Sequence, residues 1–291
     1  MVGRQERAGG SMSAVMQLQQ PTGIIHGLSN DAYHSGPGIS KSGLDDMDPP
    51  ARYYALHLDP NRPERTQTAS QRAGTLAHCA ILEPEQFAKR YAVGPDVIRS
   101  TKVWKEWEAS LAPGVEAIKP DEAAVAWAQR ESVLKLPGVA EILSAGKAEV
   151  SAFWTDPYTG VLCRCRPDFA ADCGVLLDVT TVGNSSPSDF RLQAARMRYD
   201  VQDEFYTEGY GIAAGAPLER FLFLTVETSF PYLAAVHEFL PESKAAGAEK
   251  ARTALNVYAE CLHKNEWPDY GSEIHQIQLP AWALSYQGDI A

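Results

Sequence analysis

The sequence predicts an α/β (α+β) fold in which helices flank a central mixed β-sheet. Two stretches, 149–155 and 161–170, are separated by the turn sequence DPYTG, which is the pattern of a β-hairpin. The segment VLLDVTT (175–181) is apolar enough to be a central strand. Helical periodicity before and after these strands gives the order helix, three strands, helix, strands, helix, which suits a sheet with flanking helices.

The N-terminal part of the chain is rich in turn-forming residues. Residues 1–20 are expected to be a flexible leader, and residues 21–291 are expected to form a single domain. In the segment ISKSGLDDM, Ser40 or Ser42 can cap a short helix whose first turn carries Asp45 and Asp46. This short helix is the first regular element that the sequence predicts.

Longer elements follow. Apolar residues at spacings of three and four predict a helix over 70–82, which stops at the Glu83-Pro84 pair because a residue before proline avoids helical angles. Residues 121–135 form another predicted helix, and residues 190–214 are predicted to be one continuous long helix. The remaining predicted elements are strands at 220–227 and 233–239 and a closing helix at 241–264.

Composition restricts the class of protein. The chain has 291 residues, 45% of them hydrophobic, and no apolar run long enough to span a membrane, which predicts a soluble globular protein. The five cysteines include no CxxC pair, so a disulfide framework and a zinc or iron–sulfur site are not expected, and reduced thiols favour a cytoplasmic location. The net charge of −11 weighs mildly against a nucleic-acid binder but is compatible with an enzyme that buries acidic metal ligands.

Two aspartates form the centre of the predicted chemistry. Asp168 and Asp178 lie in or just after strands that are adjacent in the sequence, so both carboxylates reach one point if those strands pair. A divalent cation relieves the repulsion between two such carboxylates, and oxygen ligands suit Mg²⁺, with Mn²⁺ as a substitute. Aspartates also end many strands as turn formers, so a purely structural role stays open.

Two further patterns support the same site. His78 lies four residues after Gly74 on a predicted helix, and the glycine would let that helix approach another backbone closely, although a core or surface histidine is the alternative. Gln202 and Tyr206 are one helical turn apart and therefore share a face, although ordinary amphipathic polarity explains this spacing as well.

Several short segments agree in order and spacing with one known family. These segments are YHSGPGISKSGLDDM, GTLAHCAILEPEQF, TGVLCRCRPD, DVTT and YDVQDEFYTEGY. Across residues 22–285 the chain resembles the nuclease domain of the RecE-type (exonuclease VIII) DNA exonucleases, a branch of the PD-(D/E)xK nuclease superfamily. The resemblance implies a magnesium-dependent enzyme that digests one strand of duplex DNA from 5′ to 3′, leaves a 3′ single-stranded tail and serves recombination by strand annealing.

The resemblance also implies roles for individual residues. The metal ligands it implies are His78, Asp168, Asp178 and the carbonyl of Val179. Gln202 and Tyr206 would lie beside the active site and the DNA, and Glu83 close to the same site. The motif Ser40, Lys41 and Ser42 would approach the DNA end. A phage-related, ring-shaped homo-oligomer around DNA is implied too, with a RecT-like single-strand annealing protein as partner, and Arg191, Arg196 and Arg198 would line its channel.

One position departs from the family pattern. Thr180 stands where RecE-type chains have a lysine that orients the attacking water and stabilises charge on the phosphate. Three explanations stay open: a basic residue from elsewhere (Arg196, Arg198 or Lys41) reaches the site, the metal ions suffice, or the protein binds DNA ends and recruits a partner without cleaving. A sequence-specific endonuclease on the same fold is a further alternative.

Overall fold

The computed structural model describes residues 22–63, 66–280 and 284. The predicted leader over residues 1–20 lies outside this range. The strands of the described part are β1 (Gly23–Ile25), β2 (Tyr91–Val93), β3 (Glu116–Ile118), β4 (Gly146–Ala148), β5 (Ser151–Thr155), β6 (Leu162–Cys165), β7 (Phe169–Ala171), β8 (Val175–Val182), β9 (Arg220–Glu227) and β10 (Ala234–His237).

Helices precede, interrupt and follow these strands. They are α1 (Asn30–Ser35), α2 (Lys41–Asp45), α3 (Pro50–Tyr53), α4 (Ala69–Leu82), α5 (Pro84–Arg90), α6 (Lys102–Glu108), α7 (Pro120–Leu134), α8 (Val139–Ser144), α9 (Pro187–Met197), α10 (Tyr199–Ala214) and α11 (Pro241–Lys264), with a π-helical turn at Tyr54–Leu58. No helix of the described residues is long and apolar enough to cross a membrane.

The central sheet has five strands in the order β10-β9-β8-β7-β4. β8 and β9 are parallel, and the other neighbouring pairs are antiparallel. Helices pack on both faces: Ala77 of α4 contacts the side that carries Val179, and Phe190 of α9 contacts the side that carries Leu176. The prediction of a mixed sheet flanked by helices is confirmed.

The predicted hairpin is present but belongs to a second sheet. β5 and β6 pair antiparallel in a three-stranded sheet of order β1-β5-β6. The prediction of one strand over 161–170 is wrong, because β6 ends at Cys165 and β7 starts at Phe169 in the central sheet. Pro167 lies between them and has no N–H to extend the ladder. Asp168 therefore stands at the crossing from one sheet to the other.

Helix α4 carries one of the predicted site residues to the central sheet. Thr68 caps the helix, and its side chain and that of Gln71 form a capping box. The helix ends at Leu82, as the proline at position 84 predicts, and its apolar face packs against β8. His78 consequently lies close to the middle of that strand.

The long helix predicted over 190–214 is two helices. α9 ends at Met197 and α10 begins at Tyr199, and Arg198 between them is left-handed with φ 53°. Apolar residues keep a helical spacing across this break, so the periodicity alone gave no sign of it. The break turns the chain so that α10 packs along α11 while its N-terminus faces β8.

The N-terminal motif forms the short helix α2 that the sequence predicts. Ser40 is its cap and accepts a hydrogen bond from the backbone N–H of Gly43. Asp45 is the last residue of the helix and not part of its first turn, so the expected interaction of Asp45 with the helix N-terminus is wrong. Its carboxylate instead pairs with Lys41 one turn earlier.

Candidate functional site

The two predicted aspartates lie together at the centre of the described molecule. Asp168 precedes β7, Asp178 lies in the middle of β8, and these two strands pair. The backbone N–H of Val179 donates to Asp168 Oδ2 at 2.7 Å, which joins the first acid to the residue next to the second. Burial, and secondarily the charge of Asp168, raises the pKa of Asp178 well above its usual range. The negative charge of Asp168 therefore disfavours ionisation of Asp178.

His78 adjoins the same carboxylates from α4. Its Nδ1 lies 3.5 Å from Asp168 Oδ2. Burial lowers the pKa of His78, and the nearby charge of Asp178 opposes this shift. The imidazole is therefore neutral near pH 7, which is the form that binds metals. Gly74 is not needed for this approach, since a Cβ there would meet Thr181 Oγ1 at an ordinary 3.5 Å.

The QxxxY pair of α10 faces the site as its spacing predicts. Gln202 Nε2 donates to Asp178 Oδ1 at 2.7 Å, which fixes the orientation of that carboxylate. Tyr206 lies one turn further along and packs edge-to-face against Phe221 of β9, with ring centroids 5.9 Å apart. Burial raises the pKa of Tyr206, and Asp178 is among the nearby negative groups that raise it further.

Glu83 borders the site without contacting its centre. Both of its carboxylate oxygens accept hydrogen bonds from Arg90, at 2.7 and 2.9 Å. Its charge acts on Glu149, as a minor contribution to the raised pKa of that residue. The structure therefore does not bring Glu83 to Asp168 and Asp178 directly.

Glu149 is a site residue that the sequence reasoning missed. It has φ 54°, its backbone N–H donates to the Asp168 carbonyl at 3.0 Å, and its carboxylate lies 3.9 Å from Arg166 Nη1. Burial raises the pKa of Glu149, and its charge in turn raises the pKa of Asp168. In the sequence it looked like the first residue of a strand, and only its left-handed conformation turns it toward the two aspartates.

Thr180 shares the face of β8 that carries Asp178. Residues two apart on a strand point to the same side, which here is the side of α9 and α10. Thr180 Oγ1 makes a long hydrogen bond of 3.5 Å to Asp178 Oδ2, and its side chain also interacts with the Tyr199 hydroxyl. The position expected to hold a lysine is thus filled by a neutral, short side chain.

Some of the predicted DNA-contact residues meet at the junction of α9 and α10. Lys41 Nζ donates to the Met197 carbonyl at 2.6 Å, and Ser40 and Ser42 lie beside it with their hydroxyls 3.0 Å apart. Arg198 lies 3.5 Å from Asp45, whereas Arg191 and Arg196 are exposed on α9. The structure brings the Ser40–Ser42 motif next to Arg198, although the two are far apart in the chain.

The donor set suits a hard divalent cation in its chemistry. Two carboxylates and a neutral imidazole are ligands that Mg²⁺ or Mn²⁺ accepts, and a cation would relieve the repulsion that raises the pKa of Asp178. Among the described residues, no three His, Cys, Asp or Glu side chains already have the spacing of a formed metal site. His78, Asp168 and Asp178 are the residues that would hold the ion.

The five cysteines take no part in this site. All five are unpaired, and four of them are buried, with Cys173 exposed. Burial raises the pKa of Cys163 and Cys165, so both remain protonated thiols in the core.

Comparison with known proteins agrees with this geometry. One solved structure, named Putative exonuclease and from Eubacterium rectale, superimposes with a TM-score of 0.54 over 96% of this chain and 100% of its own length. The two sequences are 12% identical, so the likeness concerns the fold. No curated protein matches the chain. Residues 40–280 match the family described as PDDEXK-like domain of unknown function (DUF3799), and the chain therefore belongs to that family.

Proposed function

We propose that this protein is a divalent-metal-dependent nuclease that hydrolyses the phosphodiester bonds of DNA. The observation that carries the proposal is the pair Asp168 and Asp178, joined by the Val179 N–H, adjoined by His78 and oriented by Gln202. Membership of a PDDEXK-like family supports it, because such nucleases use divalent metal ions. When bound, such a cation activates water and stabilises negative charge on the phosphate.

In its finer form the proposal is a magnesium-dependent exonuclease of double-stranded DNA. The resemblance of the motifs to RecE-type enzymes supports 5′-to-3′ digestion that leaves 3′ tails for strand annealing. The same resemblance supports a single nuclease domain over residues 21–291, a ring-shaped homo-oligomer and a RecT-like partner. The fold is shared with the Eubacterium rectale protein, whose name is Putative exonuclease, and that name agrees with an activity at chain ends.

Different residues of this chain would bind the cation, orient a ligand and contact the DNA in the proposed reaction. Asp168, Asp178 and His78 would hold the cation, and Gln202 keeps the Asp178 carboxylate in one orientation. The exposed arginines Arg191 and Arg196 offer a basic surface for the DNA backbone on a chain whose net charge is −11.

Thr180 favours a second candidate, a module that binds DNA ends and recruits a partner without cleaving. Loss of a group that stabilises charge in the transition state typically costs about 10²–10³ in rate. A chain that lacks the motif lysine and has no substitute for it would retain binding and lose most turnover.

End-labelled DNA separates these candidates. Linear duplex labelled at the 5′ or the 3′ end is incubated with Mg²⁺ or with EDTA, beside a covalently closed circle of the same sequence. The proposal predicts early release of the 5′ label with Mg²⁺ only, later loss of the 3′ label, and an intact circle. Cleavage of the circle would establish an endonuclease instead, and binding to ends without any release would establish the non-catalytic module.

Removing the Gln202 amide tests the orientation of Asp178. We expect Gln202→Leu to lower the Mg²⁺ affinity or the hydrolysis rate by about 10–100-fold, which is typical for loss of a group that orients a metal ligand. Titration of the rate with Mg²⁺ measures this effect, and Gln276→Leu, at an exposed position, is the control. An unchanged Mg²⁺ dependence in Gln202→Leu would show that Asp178 needs no such support.

A further inference from the structure

Because Thr180 stands in place of the family's lysine, the face of β8 that carries Asp178 has no positively charged side chain. Asp178 and Thr180 point to the side covered by α9 and α10, so a charge that replaces the lysine has to come from that side. Thr180 is neutral and is engaged with Asp178 and the Tyr199 hydroxyl. The inference below rests on the proposed nuclease function and concerns the group that supplies this charge.

Lys41 is the ammonium group that the fold brings to this side. It begins α2, and its side chain is 11% exposed. Nζ donates to the Met197 carbonyl at 2.6 Å, at the end of α9, and lies 5.7 Å from the centroid of the Tyr199 ring. A lysine that is 156 residues from its hydrogen-bond acceptor in the chain is thus fixed beside the first residue of α10.

Tyr199 connects Lys41 to the position of the missing lysine. Its ring stacks on Phe223 of β9 at 5.3 Å between centroids, so it is held firmly against the central sheet. Its hydroxyl interacts with the Thr180 side chain. The ammonium group therefore lies over a ring whose far end touches residue 180.

Asp45 holds this charge in place without cancelling it. Its carboxylate lies 2.7 Å from Lys41 Nζ and 3.5 Å from Arg198 Nη1, so two cations share one anion. Two cationic side chains and one carboxylate meet here, so the carboxylate does not neutralise both cations. The alternative donors are Arg198, which contacts the same Asp45, and Arg196, which is exposed on α9. Lys41 differs from them in also lying over the Tyr199 ring.

We propose that Lys41 supplies, from α2, the positive charge beside the reacting phosphate that Thr180 cannot supply from β8, and that Asp45 is the positioning residue that holds it there. An ammonium group on a four-carbon stem can act from a neighbouring element, because the function needs a point charge rather than a fixed fork of donors. The Ser-Lys-Ser motif then has a role in the chemical step, in addition to any contact with DNA.

Four proteins test this assignment: the wild type, Lys41→Met, Thr180→Lys and the double variant. Methionine keeps an aliphatic stem and removes the ammonium group, with its charge, its hydrogen bond to the Met197 carbonyl and its ion pair with Asp45. We expect Lys41→Met to lower the single-turnover cleavage rate at saturating DNA by about 10²–10³-fold. The double variant should cleave at least tenfold faster than Lys41→Met alone. Thr180→Lys by itself should cleave at nearly the wild-type rate. Lys105→Ala, at an exposed position of α6, is the control and should cleave at the wild-type rate.

Three outcomes would overturn the assignment. An unchanged rate in Lys41→Met means that another group or the metal alone suffices. A slow Lys41→Met that Thr180→Lys does not rescue, with weaker binding of DNA measured separately with Ca²⁺, makes Lys41 a phosphate contact only. A large gain from Thr180→Lys in the wild type means that no group supplies the missing charge.

Two further measurements distinguish a wrong role for Lys41 from a wrong proposal of nuclease activity and from misfolding of the Lys41→Met variant. A wild type that cleaves no faster than Asp178→Asn with Mg²⁺ refutes the proposed nuclease, and Lys41 then has no such role. If Lys41→Met does not melt cooperatively, Asp45→Asn is used in its place, and it should slow cleavage by at least tenfold while Thr180→Lys restores it. Full activity of Asp45→Asn would count against the positioning role.

Discussion

Asp178→Asn is expected to reduce metal-dependent cleavage by about 10³-fold or more and to make the metal-free protein more stable. Asparagine keeps the shape of the side chain and an oxygen that accepts from Gln202 Nε2. It loses the negative charge that would hold the cation. A bound cation contributes several kcal/mol of transition-state stabilisation, and about 1.4 kcal/mol corresponds to a factor of ten in rate. The rate of nucleotide release at saturating Mg²⁺ measures the loss.

The same substitution, Asp178→Asn, should lower activity but raise the stability of the metal-free protein, because the buried carboxylate is unfavourable without a cation. Burial and the charge of Asp168 raise the pKa of Asp178 in the folded protein above its value in the unfolded chain. A carboxyl shifted in this direction destabilises the fold progressively as the pH rises from the unfolded pKa toward the folded pKa. In EDTA near pH 8, Asp178→Asn should therefore raise Tm by about 2–6 °C, and the difference should vanish at acidic pH.

Asp172→Asn is the matched control for this pair of effects. Asp172 is an exposed aspartate in the turn between β7 and β8, ahead of the same strand. Neither its activity nor its Tm should change. A variant Asp178→Asn that cleaves normally, or one that melts lower than the wild type in EDTA at pH 8, would contradict the placement of Asp178 at a charged, cation-dependent centre.

Gly247→Ala is expected to destabilise the protein by about 3 kcal/mol or more, or to prevent folding, because it overpacks a helix contact. A Cβ at this position of α11 would lie 2.1 Å from the backbone oxygen of Asp200 in α10. The obstacle is the backbone of a helix, which cannot rotate away as a side chain does. At about 2–4 °C for each kcal/mol, Tm should fall by about 6–12 °C. Since α10 carries Gln202, separation of α10 from α11 should also impair the site.

Gly74→Ala is the control for Gly247→Ala because both glycines lie inside helices. A Cβ at position 74 meets Thr181 Oγ1 at 3.5 Å, an ordinary contact. Alanine is favoured over glycine in a helix by about 1 kcal/mol, so Gly74→Ala should melt at or above the wild-type temperature. Equal melting temperatures for the two variants would show that α10 and α11 can separate without cost.

Sequence reasoning was most successful where one local rule fixes the backbone. The bounds of α11 and β9 agree with the predictions at every residue, and α4 differs by one, because periodicity, caps and prolines all act locally. It was wrong where tertiary packing decided. Arg198 adopts a left-handed conformation that usually belongs to glycine or asparagine, so nothing in its identity predicted the break before α10.

In the candidate site, too, features set by local sequence were predicted and features set by tertiary packing were not. Strand position, helical spacing and the family resemblance together indicate Asp168, Asp178, His78 and Gln202, and the structure brings them together. Glu149 was missed because its turn toward the site depends on one backbone angle. The position of Lys41 over Tyr199 depends on packing between elements far apart in the chain, which no local pattern contains.

The decisive measurement is nucleotide release from linear duplex DNA by the wild-type protein with Mg²⁺, after EDTA and after renewed Mg²⁺. We expect release with Mg²⁺, arrest with EDTA, recovery on renewed Mg²⁺, and background release by Asp178→Asn throughout. Release that continues in EDTA, or that Asp178→Asn matches, would contradict a metal-dependent site at Asp168 and Asp178.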